Sequence, residues 1–385
     1  MPYWRLSSFY FFYFGSIGAL VPYWGLYLKS IGFTPLEIGQ LMALIMATKI
    51  VSPNVWGWIA DHTGRRMTIV RVASLLGLLT FGGVFFGQTF WWMALVMLSF
   101  SFFWNASLPQ FEATTLNHLG TQTHRYSAVR VWGSIGFILV VAVLGPILDR
   151  HGTGILPIAL LVLFAGIWFA SLVVPEHASR HLPLRQSPLK HVLQRPEVLG
   201  LLGVCFLMQA SHGPYYTFYS IYLEDYGYAR SLIGYLWGLG VLAEVVVFLM
   251  LYRLVHRFGL RRLLLAALAL AALRWVVIGQ FPHAFTLLLG AQLLHAASFG
   301  IYHAVAIAFI HRYFVGRHQG RGQALYSSLS FGAGGALGGL YSGYAWDGLG
   351  ATTTFFIGAG LAALAFGLAW RYVGREDAET APAKA

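Results

Sequence analysis

Apolar residues form runs of about twenty along the whole chain, and polar residues are concentrated in the short segments between the runs. A helix needs about 20 apolar residues to cross the hydrocarbon core of a bilayer. The pattern therefore predicts an all-α integral membrane protein with twelve transmembrane helices. The spans are expected at 6–28, 36–59, 67–87, 91–116, 128–148, 155–174, 199–223, 230–254, 263–281, 284–312, 323–345 and 351–372.

Composition supports a membrane protein and excludes other classes. The chain is 58% hydrophobic and 10% charged, with a mean hydropathy of +0.66, whereas soluble domains carry about 25% charged residues. Disordered chains are poor in apolar and aromatic residues, so disorder is excluded as well. The net charge of +12 could indicate a nucleic-acid-binding protein. That function needs a solvated basic face, which so apolar a chain could hardly display.

Basic residues are distributed unevenly between the two sides of the predicted membrane. With a cytoplasmic N-terminus, the inner segments hold 19 Lys and Arg residues, and the outer loops hold only Lys29, Arg150 and Arg230. Inner loops of membrane proteins carry the excess of Lys and Arg. Both termini are therefore predicted to be cytoplasmic.

An internal repeat relates the two halves of the chain at a fixed offset of 195 residues. The segment YLKSIGFTPLEIG (27–39) matches YLEDYGYARSLIG (222–234), and Gly64 in DHTGRR (61–66) pairs with Gly259 in RFGLRR (257–262). The matched pairs are Tyr27 and Tyr222, Gly32 and Gly227, Gly39 and Gly234, and Gly64 and Gly259. The same offset pairs Lys49 with Glu244, which are predicted to face each other across a pseudo-symmetry axis.

The repeat predicts four segments. Residues 1–174 and 199–373 would each form a six-helix bundle, and residues 374–385 would form a cytoplasmic tail. Residues 175–198 contain four prolines and four basic residues, which indicates a cytoplasmic linker.

The segment GWIADHTGRR (57–66) closely resembles the loop motif between spans 2 and 3 of the major facilitator superfamily. Gly57 would permit close helix approach and Gly64 a tight turn. Asp61 could accept hydrogen bonds from an arginine or a helix N-terminus and so latch the cytoplasmic side. The latch set is Gly57, Asp61, Gly64, Arg65 and Arg66. The resemblance implies a major facilitator fold with the substrate site at mid-membrane between two bundles.

Residues 109–137 resemble the span 4–5 segment of the lactose-permease-like branch. That resemblance assigns substrate binding to Glu112 and to Arg130, which Gly133 follows, and it relates Arg274 and His295 to that branch's span 9 arginine and span 10 histidine. The chain departs from the branch at Gln292, where the branch has a lysine, and at Ser298, where it has a proton-coupling carboxylate.

Four further segments read HGPYY (212–216), GYLWGLGVLAEVVVF (234–248), LRWVVIG (273–279) and QLLHAASFGIYH (292–303). They resemble more closely the bacterial 3-phenylpropionic acid permease type. This resemblance implies a multi-pass protein of the bacterial inner membrane that works as a monomer on a small-molecule substrate.

Ionisable residues inside the predicted spans are few. Each costs about 2.5–3.5 kcal/mol on insertion scales, so those present are expected to face a water-filled interior. Apart from the charges assigned to the inner segments and the outer loops, they are Lys49, Glu112, Arg130, Glu244 and Arg274. Their positive surplus suits an organic anion, whose carboxylate an arginine can hold through two parallel hydrogen bonds. Purely structural ion pairs between helices are the alternative.

Histidines and aromatic residues add to this set. His212, His295 and His303 lie within spans 7 and 10 and could form a proton relay with Glu244, His295 being favoured because the family pattern places it beside Arg274. His295 and His303 are eight residues apart and can share a broad face. Tyr215, Tyr216 and Trp237, with Tyr219, Trp104 and Trp275, could supply an apolar wall for the substrate. Lipid contact is the alternative for each ring.

The resulting hypothesis is a secondary transporter that takes up a small organic anion with a proton, Glu244 being the titrating carboxylate. A sugar or nucleoside symporter is the first alternative, and a drug exporter or a non-transporting receptor is less favoured.

No dinucleotide, P-loop or nucleophile-elbow pattern occurs, so neither an enzyme nor a cofactor is expected, and the proton gradient would supply the energy. The single Cys205 cannot form an intrachain disulfide or a cysteine metal cluster, and no metal site is expected.

Overall fold

The computed structural model describes residues 2–176 and 190–375, which are helical almost throughout and contain no β-strand. Most of the predicted linker and nearly all of the predicted tail lie outside these ranges. The helices of the first half are α1 (Tyr3–Ser30), α2 (Pro35–Thr63), α3 (Arg66–Phe81), α4 (Phe90–Leu119), α5 (Tyr126–His151) and α6 (Leu156–Leu172).

The second half has more numerous and shorter helices. They are α7 (Lys190–Leu193), α8 (Pro196–Ser211), α9 (Gly213–Asp225), α10 (Arg230–Phe258), α11 (Leu260–Gln280), α12 (Phe285–Leu293), α13 (Tyr302–Tyr313), α14 (Gln319–Ser327), α15 (Gly335–Leu349) and α16 (Ala351–Tyr372). Two π-helical segments, Ala296–Ile301 and Ser328–Gly334, join α12 to α13 and α14 to α15. Such segments occur often at functional sites.

Ten continuous helical stretches of the described chain are long and apolar enough to cross a membrane, and Phe285–Tyr313, which includes α12, a π-helical segment and α13, counts as one of them. They match ten of the twelve predicted spans. The other two predicted spans fall on α8 with α9, which a break at His212 divides into short helices, and on the glycine-rich stretch from α14 to α15. The count of twelve stays a prediction.

The described residues form two compact units. The first comprises 2–176 and 216–238, and the second comprises 190–215 and 239–375. In the first unit α1 packs against α5 and α6, and α3 packs against α4 and α6. In the second unit α8 packs against Ser328–Gly334 and α16, and α11 packs against α16 and the Ala296–Ile301 segment. These helix pairs correspond under the 195-residue offset, so the sequence repeat is matched by a repeat in packing.

The repeated glycines occupy equivalent turns. Gly32 and Gly227 have φ angles of 98° and 83°, and Gly64 and Gly259 have φ angles of 68° and 76°. Side chains with a Cβ adopt this left-handed region at a steric cost, whereas glycine does not. Each half therefore needs a glycine at the same two turns between helices, which explains why both pairs recur at one offset.

The break between α8 and α9 follows from the sequence HGPYY (212–216). Pro214 has no N–H to donate to the carbonyl of Ala210, and the Tyr341 hydroxyl donates to that carbonyl instead, at 3.1 Å. A Cβ at Gly213 would lie 2.2 Å from the carbonyl oxygen of Gly338, so only glycine permits this approach of α9 to α15. The continuous span expected at 199–223 is therefore interrupted.

Candidate functional site

Arg274 on α11 is the fully buried centre of a polar cluster in the second unit. Its Nε donates to the carbonyl of Ala291 at 2.9 Å, and its Nη1 donates to His295 Nδ1 at 3.0 Å and to Ser298 Oγ at 3.1 Å. Its Nη2 donates to Gln292 Oε1 at 3.2 Å. The α12 helix, the π-helical segment that follows it and His295 between them thus supply all four acceptors.

The partners of Arg274 are all uncharged. No carboxylate of residues 2–176 or 190–375 lies within 4.0 Å of its guanidinium, which instead rests 4.2 Å from the centroid of the Tyr215 ring. A guanidinium has five N–H donors, and four are used by the acceptors above. A buried cation held only by neutral groups is costly in an apolar environment unless an anion joins it. The cluster therefore has the chemistry of an anion-binding site.

The neighbours of His295 determine its tautomer. Arginine donates hydrogen bonds and cannot accept them, so His295 Nδ1 must carry a lone pair toward Arg274 Nη1. The ring proton of the neutral histidine is then on Nε2, which lies 3.7 Å from Glu244 Oε2 on α10. His295 consequently links the buried arginine to a carboxylate that keeps 17% of its side-chain exposure.

The Ala296–Ile301 segment aligns two of the predicted histidines on one aromatic ring. Phe299 stacks on His295, with ring centroids 5.4 Å apart, and on His303, with centroids 5.8 Å apart. His303 Nδ1 lies 2.8 Å from the hydroxyl of buried Tyr326. The structure thus brings His295, His303 and Glu244 into the same unit as Arg274.

His212 has a distinct structural contact. Its Nδ1 lies 2.8 Å from the carbonyl oxygen of Met208, which can only accept, so Nδ1 donates. The ring packs edge-on against Trp275, with centroids 4.8 Å apart. Because it donates to a carbonyl at the end of α8, His212 helps to terminate that helix. Tyr215, three residues later, donates to Gln292 Oε1 at 3.0 Å and so braces the Arg274 cluster.

Glu112 and Arg130 lie in the first unit, on α4 and α5. No ion pair within 4.0 Å joins them; the Tyr126 hydroxyl donates to Glu112 Oε1 at 3.2 Å, and the guanidinium of Arg130 lies 3.7 Å from the centroid of the Phe14 ring. The sequence-based assignment of this pair to substrate binding stays a prediction.

The other candidates of the first unit lie on three helices. Lys49 is half-buried on α2. Tyr216 on α9 and Trp237 on α10 have ring centroids 6.4 Å apart, and the Trp237 indole donates to Ser220 Oγ at 3.0 Å. Lys49 and Glu244 belong to different units, so their predicted pairing across the repeat axis stays a prediction.

The predicted latch at residues 57–66 is a polar cluster at the α2–α3 turn. Arg66 bonds Asp61 Oδ1 at 2.6 Å and Gln110 Oε1 at 2.7 Å, and Gly64 makes the turn with φ of 68°. Arg65 is exposed. A Cβ at Gly57 would lie 3.6 Å from Gln110 Nε2 of the same unit, which is ordinary contact. The expected role of Gly57 in a close helix approach stays a prediction.

Sequence reasoning gave no role to Glu176, Gln292 or Ser298. Glu176 Oε1 and Oε2 accept from the backbone N–H groups of Met67 and Thr68 at the N-terminus of α3, where a negative charge is stabilised. Gln292 is fully buried, and its Nε2 has no hydrogen-bond partner among the described residues. Gln292 and Ser298 were recognisable only as departures from the lactose-permease-like pattern.

A carboxylate of α5 caps the N-terminus of α10 within the first unit. Asp149 Oδ1 and Oδ2 accept from the backbone N–H groups of Arg230 and Ser231 at 2.8 and 3.0 Å. The Arg230 side chain bonds Glu224 Oε1 at 2.9 Å. Apart from Ser231, these residues lie in the predicted outer loops. The network is therefore at the end of the helices that is predicted to face the outside.

The model of the MFS_1-like family matches residues 3–357. A probable 3-phenylpropionic acid transporter of Escherichia coli K12 is 31% identical over 358 residues, covering 90% of this chain and 91% of that protein. A maltose permease of Geobacillus stearothermophilus is 27% identical, covering 90% and 89%. The crystal structure of a mutant of the nucleoside transporter NupG superposes with a TM-score of 0.86 at 17% identity, covering 96% and 98%.

These matches span nearly the whole chain, and the helical fold agrees with them. The predicted fold class is confirmed, and so is the predicted superfamily. The chain belongs to the MFS_1-like family and is a multi-pass membrane transporter of the major facilitator superfamily.

Proposed function

We propose that this transporter takes up a small organic anion, such as an aromatic carboxylate, together with a proton. The observation that carries the proposal is the buried Arg274, whose hydrogen-bond partners are all uncharged. A carboxylate would supply the missing negative charge through two parallel hydrogen bonds. A neutral sugar could not neutralise this cation.

The surroundings of Arg274 favour an aromatic substrate. Its guanidinium lies 4.2 Å from the centroid of the Tyr215 ring and 4.7 Å from that of Trp275. Aromatic rings offer stacking and edge-to-face contacts to another ring. The relative from Escherichia coli is named as a probable 3-phenylpropionic acid transporter, and its name agrees with an aryl carboxylate as the substrate class.

The proton would bind at the pair formed by His295 and Glu244, which are 3.7 Å apart. A histidine changes its charge near neutral pH, and a neighbouring carboxylate stabilises the charged form. Proton and substrate together would then favour one conformational state over the other, because each binds the two states with different affinity. In this proposal the protein works as a monomer in a bacterial inner membrane with both termini cytoplasmic, and it uses no cofactor besides the proton gradient.

Uptake of 3-phenylpropanoate by energised right-side-out vesicles tests the proposal. We expect 3-phenylpropanoate to accumulate in right-side-out vesicles at acidic external pH and not when the proton gradient is collapsed. Glu244→Gln should abolish pH-driven accumulation. Asp347→Asn, an exposed substitution on α15, is the matched control and should transport normally. Full accumulation by Glu244→Gln would exclude this carboxylate from coupling.

A sugar or nucleoside symporter is the alternative, and the maltose permease relative favours it. The same vesicles, offered maltose, uridine and 3-phenylpropanoate at two external pH values, separate the two functions. Accumulation of maltose or uridine without 3-phenylpropanoate would overturn the anion proposal.

A further inference from the structure

From the Arg274–His295 contact we propose that the substrate carboxylate creates the proton-binding site, at Nδ1 of His295. The inference rests on the proposed function and specifies how anion and proton are coupled. In the structure the lone pair of Nδ1 is occupied by an N–H of Arg274 at 3.0 Å. An imidazolium would place an N–H on Nδ1, directed at a second donor. The Arg274 contact and the protonated histidine therefore exclude each other.

A carboxylate that binds Arg274 end-on needs one N–H from each terminal nitrogen. Both N–H groups of Nη1 are used, by His295 and by Ser298. Binding therefore displaces one of these two acceptors. The backbone carbonyl of Ala291 is fixed, and Gln292 Oε1 is braced by Tyr215.

His295 is the acceptor that the anion displaces. It is 6% exposed whereas Ser298 is fully buried, and it lies toward Glu244, the more exposed member of the cluster. A carboxylate approaching from the Glu244 side meets the imidazole before it meets the guanidinium. His295 thus occupies the place of the anion while the site is empty.

Once released, Nδ1 of His295 accepts a proton. Before binding, the cluster contains a cationic Arg274, a neutral His295 and an anionic Glu244. After binding it contains an arginine–carboxylate pair and an imidazolium beside the Glu244 carboxylate. One negative charge and one proton have entered, so the net charge of the cluster is unchanged.

Three other titratable groups of the described chain face His295 within its unit, and none of them takes the place of Nδ1 as the proton acceptor. The Tyr215 hydroxyl is committed to Gln292, with its ring centroid 5.9 Å from that of His295. His212 donates through Nδ1 to Met208. Glu244 faces the Nε2 side of the ring and stabilises the imidazolium as its counter-ion.

Thermodynamic linkage makes this coupling measurable at equilibrium. If the anion promotes protonation of His295, protonation strengthens anion binding by the same factor. The purified transporter in detergent should take up about one proton for each bound 3-phenylpropanoate. The Kd for 3-phenylpropanoate should rise by up to about tenfold for each unit by which pH is increased, in the range where anion binding and protonation are fully linked. The uncharged analogue 3-phenylpropanamide should cause no proton uptake.

Proton uptake is measured with a pH-sensitive dye in weakly buffered solution, and Kd by isothermal titration calorimetry. His295→Asn places an amide oxygen near the position of Nδ1 but cannot take up a proton. It should bind 3-phenylpropanoate with a pH-independent Kd and without proton uptake. The exposed His311→Asn is the matched control and should behave as the wild type. Should His295→Asn not fold, the same test is made with His295→Gln and by comparing proton uptake of the wild type with 3-phenylpropanoate and with 3-phenylpropanamide.

Two results would overturn the inference and leave the proposed function standing. One is binding of 3-phenylpropanoate by the wild type without proton uptake. The other is wild-type proton uptake by a folded His295→Asn protein. Failure of the wild type to bind or accumulate any aromatic carboxylate would overturn the proposed function, and the inference with it.

Discussion

Arg274 donates a hydrogen bond to Nδ1 of His295 over 3.0 Å, and this contact fixes the tautomer of the histidine. The arginine is fully buried and the histidine nearly so. Because the histidine is neutral in this arrangement, the cation of Arg274 has only uncharged acceptors. The predictions for Arg274 and Gln292 follow from that relationship.

Arg274→Lys should weaken binding of 3-phenylpropanoate at least about tenfold, or about 1.4 kcal/mol, since an ammonium cannot form the two parallel hydrogen bonds of a guanidinium. Isothermal titration calorimetry on the purified protein measures the change. Arg262→Lys, an exposed substitution on the same helix, is the control. Equal affinity of the Arg274→Lys variant and the wild type for 3-phenylpropanoate would contradict the proposed binding of the carboxylate by two parallel hydrogen bonds from the guanidinium.

Gln292→Glu should stabilise the protein and abolish anion binding. The new carboxylate would keep the acceptor that Arg274 and Tyr215 use and would neutralise a charge that is already buried. Hydrogen bonds to charged groups contribute about 1.5–3 kcal/mol. Thermal unfolding in detergent and titration with 3-phenylpropanoate measure the two effects.

Gln209→Glu is the matched control for that substitution. Gln209 is buried on α8 and makes no hydrogen bond to Arg274. A carboxylate there adds a buried charge and should lower the unfolding temperature. If Gln292→Glu also lowered it and still bound 3-phenylpropanoate, the interpretation of Arg274 as an unneutralised cation would be wrong.

Glu176→Ala should destabilise the first unit by about 1 kcal/mol, the usual cost of losing a capping side chain. Both carboxylate oxygens accept from backbone N–H groups of α3. Glu176→Gln keeps one acceptor and should fall between the wild type and the alanine variant in thermal unfolding. Identical unfolding of all three proteins would show that the cap contributes nothing.

Asp149→Ala should speed amide hydrogen exchange at Arg230 and Ser231. Their N–H groups lose both carboxylate acceptors from α5, and the first N–H groups of a helix have no partner within it. Exchange followed by mass spectrometry on peptides covering 226–236 measures this loss, and peptides from α16 serve as the internal reference. Unchanged protection at 226–236 would argue against the cap.

Gly64→Ala and Gly259→Ala should each cost about 1–2 kcal/mol, because a Cβ is strained at their positive φ angles. Similar losses at both positions are expected, since they form the same turn in the two halves. Gly360→Ala on α16, where a Cβ would meet nothing within 4 Å, should be neutral or stabilise the helix. Thermal unfolding of the three variants distinguishes these outcomes. If Gly259→Ala left the stability unchanged, the turns at Gly64 and Gly259 would not be equivalent.

The apolar runs, the glycines and the charge pattern were enough to predict the membrane class, the places of most helices and the repeat at 195 residues. These features are local: the bilayer requires each span to be apolar and to satisfy its own backbone, and a turn at Gly64 needs glycine whatever surrounds it. Charge counting identified Arg274 and Glu244 for the same reason, since a charge inside an apolar run is conspicuous, and the histidines stood out as polar residues within the same runs.

Which of these groups bond to one another became visible only in the packed helices. Resemblance to a known branch assigned Glu112 and Arg130 to substrate binding, which stays a prediction, and it gave no role to the acceptors Gln292 and Ser298. Hydrogen-bond partners depend on the rotation and depth of neighbouring helices. The break at His212 and the π-helical segment at Ala296–Ile301 change both for the residues that follow them. The sequence HGPYY accounts for the break itself, but the partners that the following side chains reach depend on the packing of neighbouring helices, which helical periodicity along one chain segment does not encode.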